Sequence, residues 1–205
     1  MDRPVFNLAA LCTITLSIIL FCVIAGGYSS FARAQARIKE ASSFLTEACE
    51  KRLVLFNELV ELTDQTKVLR TKSAMTQSSR NAQNILHKMI SQAPPVDRQL
   101  IAEFEISQNR ISQQLITLLH QIETAPGNTD PERIAHLKKE LNAVQDAIFV
   151  ARKHYNTETG YFNTRTQMFP GFLIAKLFGL NHIRYTQLTE GTFLSGEKTF
   201  TSPAS

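Results

Sequence analysis

The 205-residue chain has no tryptophan, only three cysteines, seven prolines and eight glycines. So few turn-formers argue against a many-stranded sandwich or barrel, and helix is the default expectation. Cys12 and Cys22 lie inside an apolar run and Cys49 stands alone, so no disulfide framework can be written. They read as small buried hydrophobes. The net charge is only +4, and the basic residues alternate with acids, as in Lys39-Glu40, Glu50-Lys51-Arg52 and Lys138-Lys139-Glu140. That is the pattern of solvated helix faces, without the basic stripe and interleaved aromatics of a nucleic-acid binder.

Chemistry is also sparse. His87, His120, His136, His154 and His182 never fall two to a helical turn, which excludes a zinc pair of that kind. There is no Gly-rich phosphate loop and no Gly-x-Ser-x-Gly elbow. Glu58 and Glu61 sit at helical spacing but not in the Glu-x-x-His repeat of di-iron bundles. No enzyme activity, cofactor or metal is expected, and no nucleic-acid partner.

Charge itself is missing from one place. Of 22 basic and 18 acidic residues, only Asp2 and Arg3 precede Arg33, and Pro4 to Ala32 is uncharged. After a short tail, residues 1–4, the stretch 5–27 predicts a transmembrane helix, since about 20 apolar residues cover the roughly 30 Å hydrocarbon core. Membrane lipid is then its partner. The rival reading is a cleaved secretory signal with small-x-small patterns ending at Ala34 and Ala36, releasing a secreted or periplasmic soluble bundle. The apolar run exceeds the roughly 7–15 residues of a signal core, which favours the anchor. Arg33, Arg37 and Lys39 outnumber Arg3 across the span, so the basic-flank bias puts the N-terminus out and the body in the cytoplasm of a plasma-membrane protein. A periplasmic body is the alternative.

Past the membrane, Ala34, Ile38, Ala41, Leu45, Ala48, Arg52, Leu55, Leu59 and Leu62 alternate steps of four and three, continuing through Thr66 to Leu69. This is one apolar helical stripe, and it predicts that anchor and body share a helix. The stripe thins over 71–81, where the helix is expected to weaken or break. Ala93-Pro94-Pro95 stops the next apolar cluster. Asp97 is a fair N-cap for a helix with the stripe Ile101, Phe104, Ile111, Leu115, Leu118 and Ile122. Asp130-Pro131 opens the last long helix, whose stripe runs Ile134, Leu137, Leu141, Val144, Ile148, Ala151, Tyr155 and Phe162, interrupted at Glu158. Short connections make neighbours antiparallel. The predicted fold is therefore all-α: an N-terminal transmembrane helix continuing into an antiparallel bundle of three to four long helices over 28–188, with a flexible tail over 189–205.

Two cations need explaining. Arg52 falls on the first seam and Arg152 one position past the last. Either they line a polar pocket or partner contact, or they are an interhelical ion pair or a snorkelling side chain, the simpler reading. Tyr155-Asn156 and Phe162-Asn163 repeat at seven, which puts each aromatic inward and each amide where it can bond across helices.

At these residues a family resemblance emerges. Ala151, Arg152, Tyr155 and Asn156, then Phe162 and Asn163, then Phe169, Pro170 and Gly171, then Leu177, Phe178 and Gly179, with Tyr185 trailing, resemble the closing signature of the bacterial LemA family without a gap. The front half resembles it more loosely, through Tyr28, Ala41, Leu45, Lys51, Arg52, Leu55, Leu59 and Val60. Ser42, Val54 and Asn57 depart from its usual tryptophan, aspartate and proline. The resemblance implies a single-pass membrane protein with a long-helix bundle, and no established enzymatic chemistry. Relatives are discussed as surface antigens, stress-related membrane factors or participants in membrane-compartment formation. The expected function is a membrane-anchored scaffold or adaptor that meets an unknown protein partner or itself, with the motif residues as structural or partner contacts. For 172–180, FLIAKLFGL, two readings stand: covering the open end of the bundle, the simpler one, or touching the membrane surface.

Overall fold

A computed structural model describes residues 3–62, 69–92, 95–124, 131–180 and 183–189. The elements are α1 (Arg3–Leu62), α2 (Leu69–Ser91), α3 (Arg98–Thr124), α4 (Pro131–Arg165) and the short α5 (Gly171–Leu177). All are helices, and the four long ones form the predicted bundle.

α1 is unbroken from the apolar run into the bundle, as the shared stripe requires. Its first part stands alone: residues 11–23 are all exposed, including Leu16 and Phe21. The hydroxyls in this stretch are folded back onto the helix. Thr13 donates to the Ala10 carbonyl at 2.9 Å, Thr15 to the Leu11 carbonyl at 3.0 Å and Ser17 to the Thr13 carbonyl at 2.8 Å. Such back-bonding satisfies hydroxyls without water. By length and composition, α1 holds a candidate membrane span.

From Phe31 onward the same helix is the centre of the bundle. The seam residues Ala34, Ile38, Ala41, Leu45, Ala48, Arg52, Leu55 and Leu59 are all buried. A second buried row, Cys49, Leu53, Phe56 and Val60, lies beside the first because α1 packs against α2 as well as α4. α4 runs antiparallel to α1. Arg37 meets Glu158 at 2.8 Å near one end and Glu58 meets Arg133 at 2.9 Å near the other. Glu158, which interrupts the apolar stripe of α4, does so to make this contact.

Of the expected boundaries, one falls outside the described residues and two need correction. The seam from Leu62 through Thr66 to Leu69 crosses residues 63–68, which lie outside the described residues; α1 is described to Leu62 and α2 from Leu69. Residues 71–81 are not a break but the first half of α2. Their apolar stripe is thin because the buried side there uses small residues, with Ser78, Ser79 and Ala82 buried beside Met75. The helix also begins at Arg3, inside the predicted tail.

Asp97 does cap α3, its Oδ1 accepting the Gln99 amide at 3.2 Å. Pro131 opens α4 as predicted, whereas Asp130, Pro94 and the tail beyond Thr189 lie outside the described residues.

α5 packs beside the start of the bundle. Ile174 lies against Gly27 so closely that a Cβ there would meet its Cδ1, and the Phe178 ring sits 4.6 Å from that of Tyr28. Gly171 allows the tight entry, since a Cβ would collide with the Arg165 carbonyl oxygen. Gly179, at φ 67°, supplies the left-handed turn that ends the helix.

Candidate functional site

Polar side chains gather at two neighbouring places along α4. The first is inside the bundle. Arg52 on α1 is completely buried, so it does not snorkel. Its guanidinium donates to Ser112 Oγ at 3.0 Å and Gln145 Oε1 at 3.3 Å, and also to the side-chain and main-chain oxygens of Gln108. Ser112 in turn donates to the Gln108 carbonyl at 3.0 Å. One cation thus ties α1, α3 and α4 together through neutral acceptors. The interhelical ion pair, the other form of the simpler reading of Arg52, is not what the structure shows either: its hydrogen-bond partners among the described residues are amides, a hydroxyl and a carbonyl. Desolvation pulls the Arg52 pKa down, and Arg152 adds to this while Cys49 opposes it.

Cys49 lies next to this cation on α1. Burial pushes its thiol up to about 11 despite the pull of Arg52 and Arg152. It is therefore protonated near neutrality, the inert state of a buried cysteine.

The second place is the outer side of α4, where Arg152 makes an interhelical ion pair, one of the readings its position left open. Arg152 Nη2 meets Glu105 of α3 at 2.7 Å and also donates to the Thr189 carbonyl at 3.0 Å. The same carboxylate accepts the Thr189 amide and hydroxyl, each at 2.6 Å. Desolvation lowers the Arg152 pKa, and Glu105 opposes it.

The two motif asparagines act in the same direction. Asn163 donates to the Tyr185 carbonyl at 2.7 Å and accepts the Tyr185 amide at 3.0 Å. Asn156 donates to the Leu188 carbonyl at 2.8 Å and accepts the Leu188 amide at 2.7 Å. Each amide copies one rung of a β-ladder. Seven helical residues advance about 10 Å, and three extended residues also advance about 10 Å, so a heptad on α4 matches the step from Tyr185 to Leu188. This match explains the spacing. The amides reach an extended strap, residues 183–189, and not another helix as predicted. Tyr155 adds a hydrogen bond to the Thr186 carbonyl at 3.3 Å, and burial pushes its phenol up to about 12.

The aromatics of the same repeat do point inward. Tyr155 and Phe162 are buried, and Phe162 packs edge-on against Phe31 at 5.7 Å and Tyr185 at 4.9 Å. Of the remaining motif residues, Gly171 is buried, Phe169, Pro170, Leu177 and Gly179 are exposed, and Phe178 rests on Tyr28. The motif therefore divides into a strap clamp on α4 and an end piece built on α5.

Between α4 and the strap runs an open groove of about 730 Å³, lined by Phe149, Arg152, Lys153, Thr157, Tyr161 and Thr189 among others. Among the described residues no cluster of three or more His, Cys, Asp or Glu is arranged to hold a metal.

Sequence reasoning missed Gln108, Ser112, Gln145 and Glu105. Gln108 had a signal: it fills the one empty step, between Phe104 and Ile111, in the three-four alternation of α3. A polar residue on the seam of each of two helices marks a buried polar layer.

The fold and site together define a class, a four-helix bundle whose central helix extends beyond it as an exposed apolar segment and which is closed by a strap latched to its last long helix. The family model described as the LemA family matches residues 49–194, and the chain belongs to that family. No curated protein and no solved structure matches it.

Proposed function

We propose that this protein is a non-enzymatic, membrane-anchored scaffold or adaptor that presents the outer surface of its bundle to a protein partner or to a second copy. The observation that carries this reading is α1. Its exposed apolar part and the central helix of the bundle are one element, so the body has its anchor built in. Residues 11–23 show an apolar surface on all sides, a pattern suited to lipid and costly in water. Arg52 is sealed away from any substrate, which supports a structural role for the polar layer. Exposed apolar side chains on the bundle, Ile106, Phe149 and Val150 among them, provide contact surface.

Cross-linking in native membranes, followed by partner capture, tests the scaffold. A reproducible heteromeric or homomeric adduct is expected, and recovery of monomer alone under conditions that keep the bundle folded overturns it. The basic flank favours a cytoplasmic body. Protease should then cleave the body in inverted vesicles and spare it in intact cells.

The anchored reading is preferred over release near Ala34 because Phe31 and Ala34 are both completely buried in the core. Cleavage there would remove the Phe31 ring from its contact with Phe162. An intact mass of 23.0 kDa is expected. A product lacking the first 34 or 36 residues would support release instead.

A further inference from the structure

α5 is a helix with two apolar faces. The inner face, Gly171, Ile174 and Ala175, is buried against the rest of the protein, with Ile174 on α1. The outer face carries Phe172, Leu173 and Leu177, and the turn before it adds Met168 and Phe169. Phe169 is 82% exposed and Leu177 63% exposed. A surface helix in water has one polar face, and this one has only Lys176 among its outer apolar residues. A contiguous exposed apolar patch of this kind marks an interaction surface.

Its height along α1 identifies the partner. α5 packs at Gly27 and Tyr28. At about 1.5 Å per residue, Gly27 stands about 9 Å from Arg33 on the apolar side of the charge boundary. The uncharged run from Pro4 to Ala32 spans about 43 Å, which matches the hydrocarbon core plus its headgroup layers. With a core of about 30 Å this leaves about 6–7 Å of headgroup layer on each side, so the contact point at Gly27 falls at the boundary between headgroups and acyl chains. Tyr28 has the side chain favoured at that depth, and Lys176 is long enough to reach water or phosphate while its neighbours face acyl chains.

We propose that α5 and the turn leading into it form a second membrane contact, a short interfacial helix lying at the headgroup–acyl boundary of the same bilayer that α1 crosses. The proposal rests on the anchored reading above. It adds that the bundle meets the bilayer at two points, through α1 and through α5, so that its tilt against the bilayer plane is fixed by the membrane.

The absence of tryptophan supplies the test. Single-tryptophan variants of the full chain, Phe172→Trp, Phe169→Trp, Phe21→Trp and Phe149→Trp, are reconstituted into vesicles whose lipids carry bromine either near the headgroups or near the bilayer centre. For an interfacial depth of about 5–10 Å, the first two variants should lose about half their emission or more to shallow bromines and less to deep ones. Phe21→Trp should be quenched most by deep bromines, and Phe149→Trp, about 20 Å along α4 from Phe162, by neither. If Phe172→Trp and Phe169→Trp behave like Phe149→Trp while Phe21→Trp is quenched, the anchor stands and the α5 proposal fails. Blue-shifted emission from them that ignores both lipids means a protein cover, such as a second copy, and also overturns the proposal. Loss of quenching at Phe21→Trp instead overturns the anchored reading and this one with it.

Discussion

Asn163 and Tyr185 exchange two hydrogen bonds, side-chain amide to main-chain carbonyl at 2.7 Å and main-chain amide to side-chain oxygen at 3.0 Å. Three residues further along the strap, Asn156 repeats the exchange with Leu188.

Replacing either asparagine with alanine should free one rung of the strap. Each removes two hydrogen bonds of about 1 kcal/mol, so Asn163→Ala or Asn156→Ala is expected to cost about 1–3 kcal/mol. Amide exchange across 183–189 should speed up well before the rest of the bundle responds. Unchanged protection in that segment would contradict the clamp.

The buried Arg52 layer predicts an asymmetry. Gln108→Leu removes an acceptor and leaves the cation in place, and should destabilise the bundle by about 2–3 kcal/mol. Arg52→Met removes the charge and fills much of the same volume, and should cost less or even stabilise. Chemical denaturation of both variants checks the order, and a greater loss from Arg52→Met would show that the cation itself stabilises the fold.

Cys49 gives a pH signature. Its folded pKa of about 11 lies above the ordinary thiol value of 9.0, so the native state holds its proton more tightly than the unfolded chain. The associated stability is fully present below pH 9 and is lost as pH rises toward 11, about 2–3 kcal/mol in all. Comparing the parent with Cys49→Ala cancels the tyrosine contributions. The stability gap between them should be constant below pH 8 and shift against the parent above pH 9, and a gap independent of pH refutes the buried thiol.

Gly171 predicts a local defect. A methyl group there meets the Arg165 carbonyl oxygen, which the α4 terminus holds in place. Gly171→Ala should cost about 1–3 kcal/mol of overpacking and raise protease sensitivity around α5. Gly27→Ala should be milder, because the atom it meets is the tip of the Ile174 side chain.

α1, α3 and α4 were legible because each has one dominant buried stripe at heptad spacing. The stripe of α1 through Leu59, that of α3 and most of that of α4 sit in the core where the periodicity places them. α2 was harder to read, since Ser78 and Ser79 pack closely without being apolar and hydropathy does not register them. For Arg152 an interhelical ion pair was one of the readings left open, whereas the neutral partners of Arg52 lie on other helices and only the Gln108 gap hinted at them. The strap was invisible. Its order comes from side chains of α4 bonding to its main chain, and main-chain groups leave no signature in composition. The second apolar face of α5 was ambiguous because a short run that is apolar all round has no period to read.

The continuity of α1 also sets how far the protein can reach. A domain on a flexible linker sweeps a volume that grows with linker length. Here Arg37, one helical turn from the charge boundary at Arg33, lies over Tyr161 at 5.6 Å, and Tyr161 lines the groove. Under the anchored reading proposed above, the near end of the groove would lie within about 10 Å of the lipid surface, comparable to the screening length at physiological salt. Under that reading a ligand seated there would feel the electrostatic potential of the headgroups as well as that of the protein, and its affinity would depend on lipid composition even without a lipid contact.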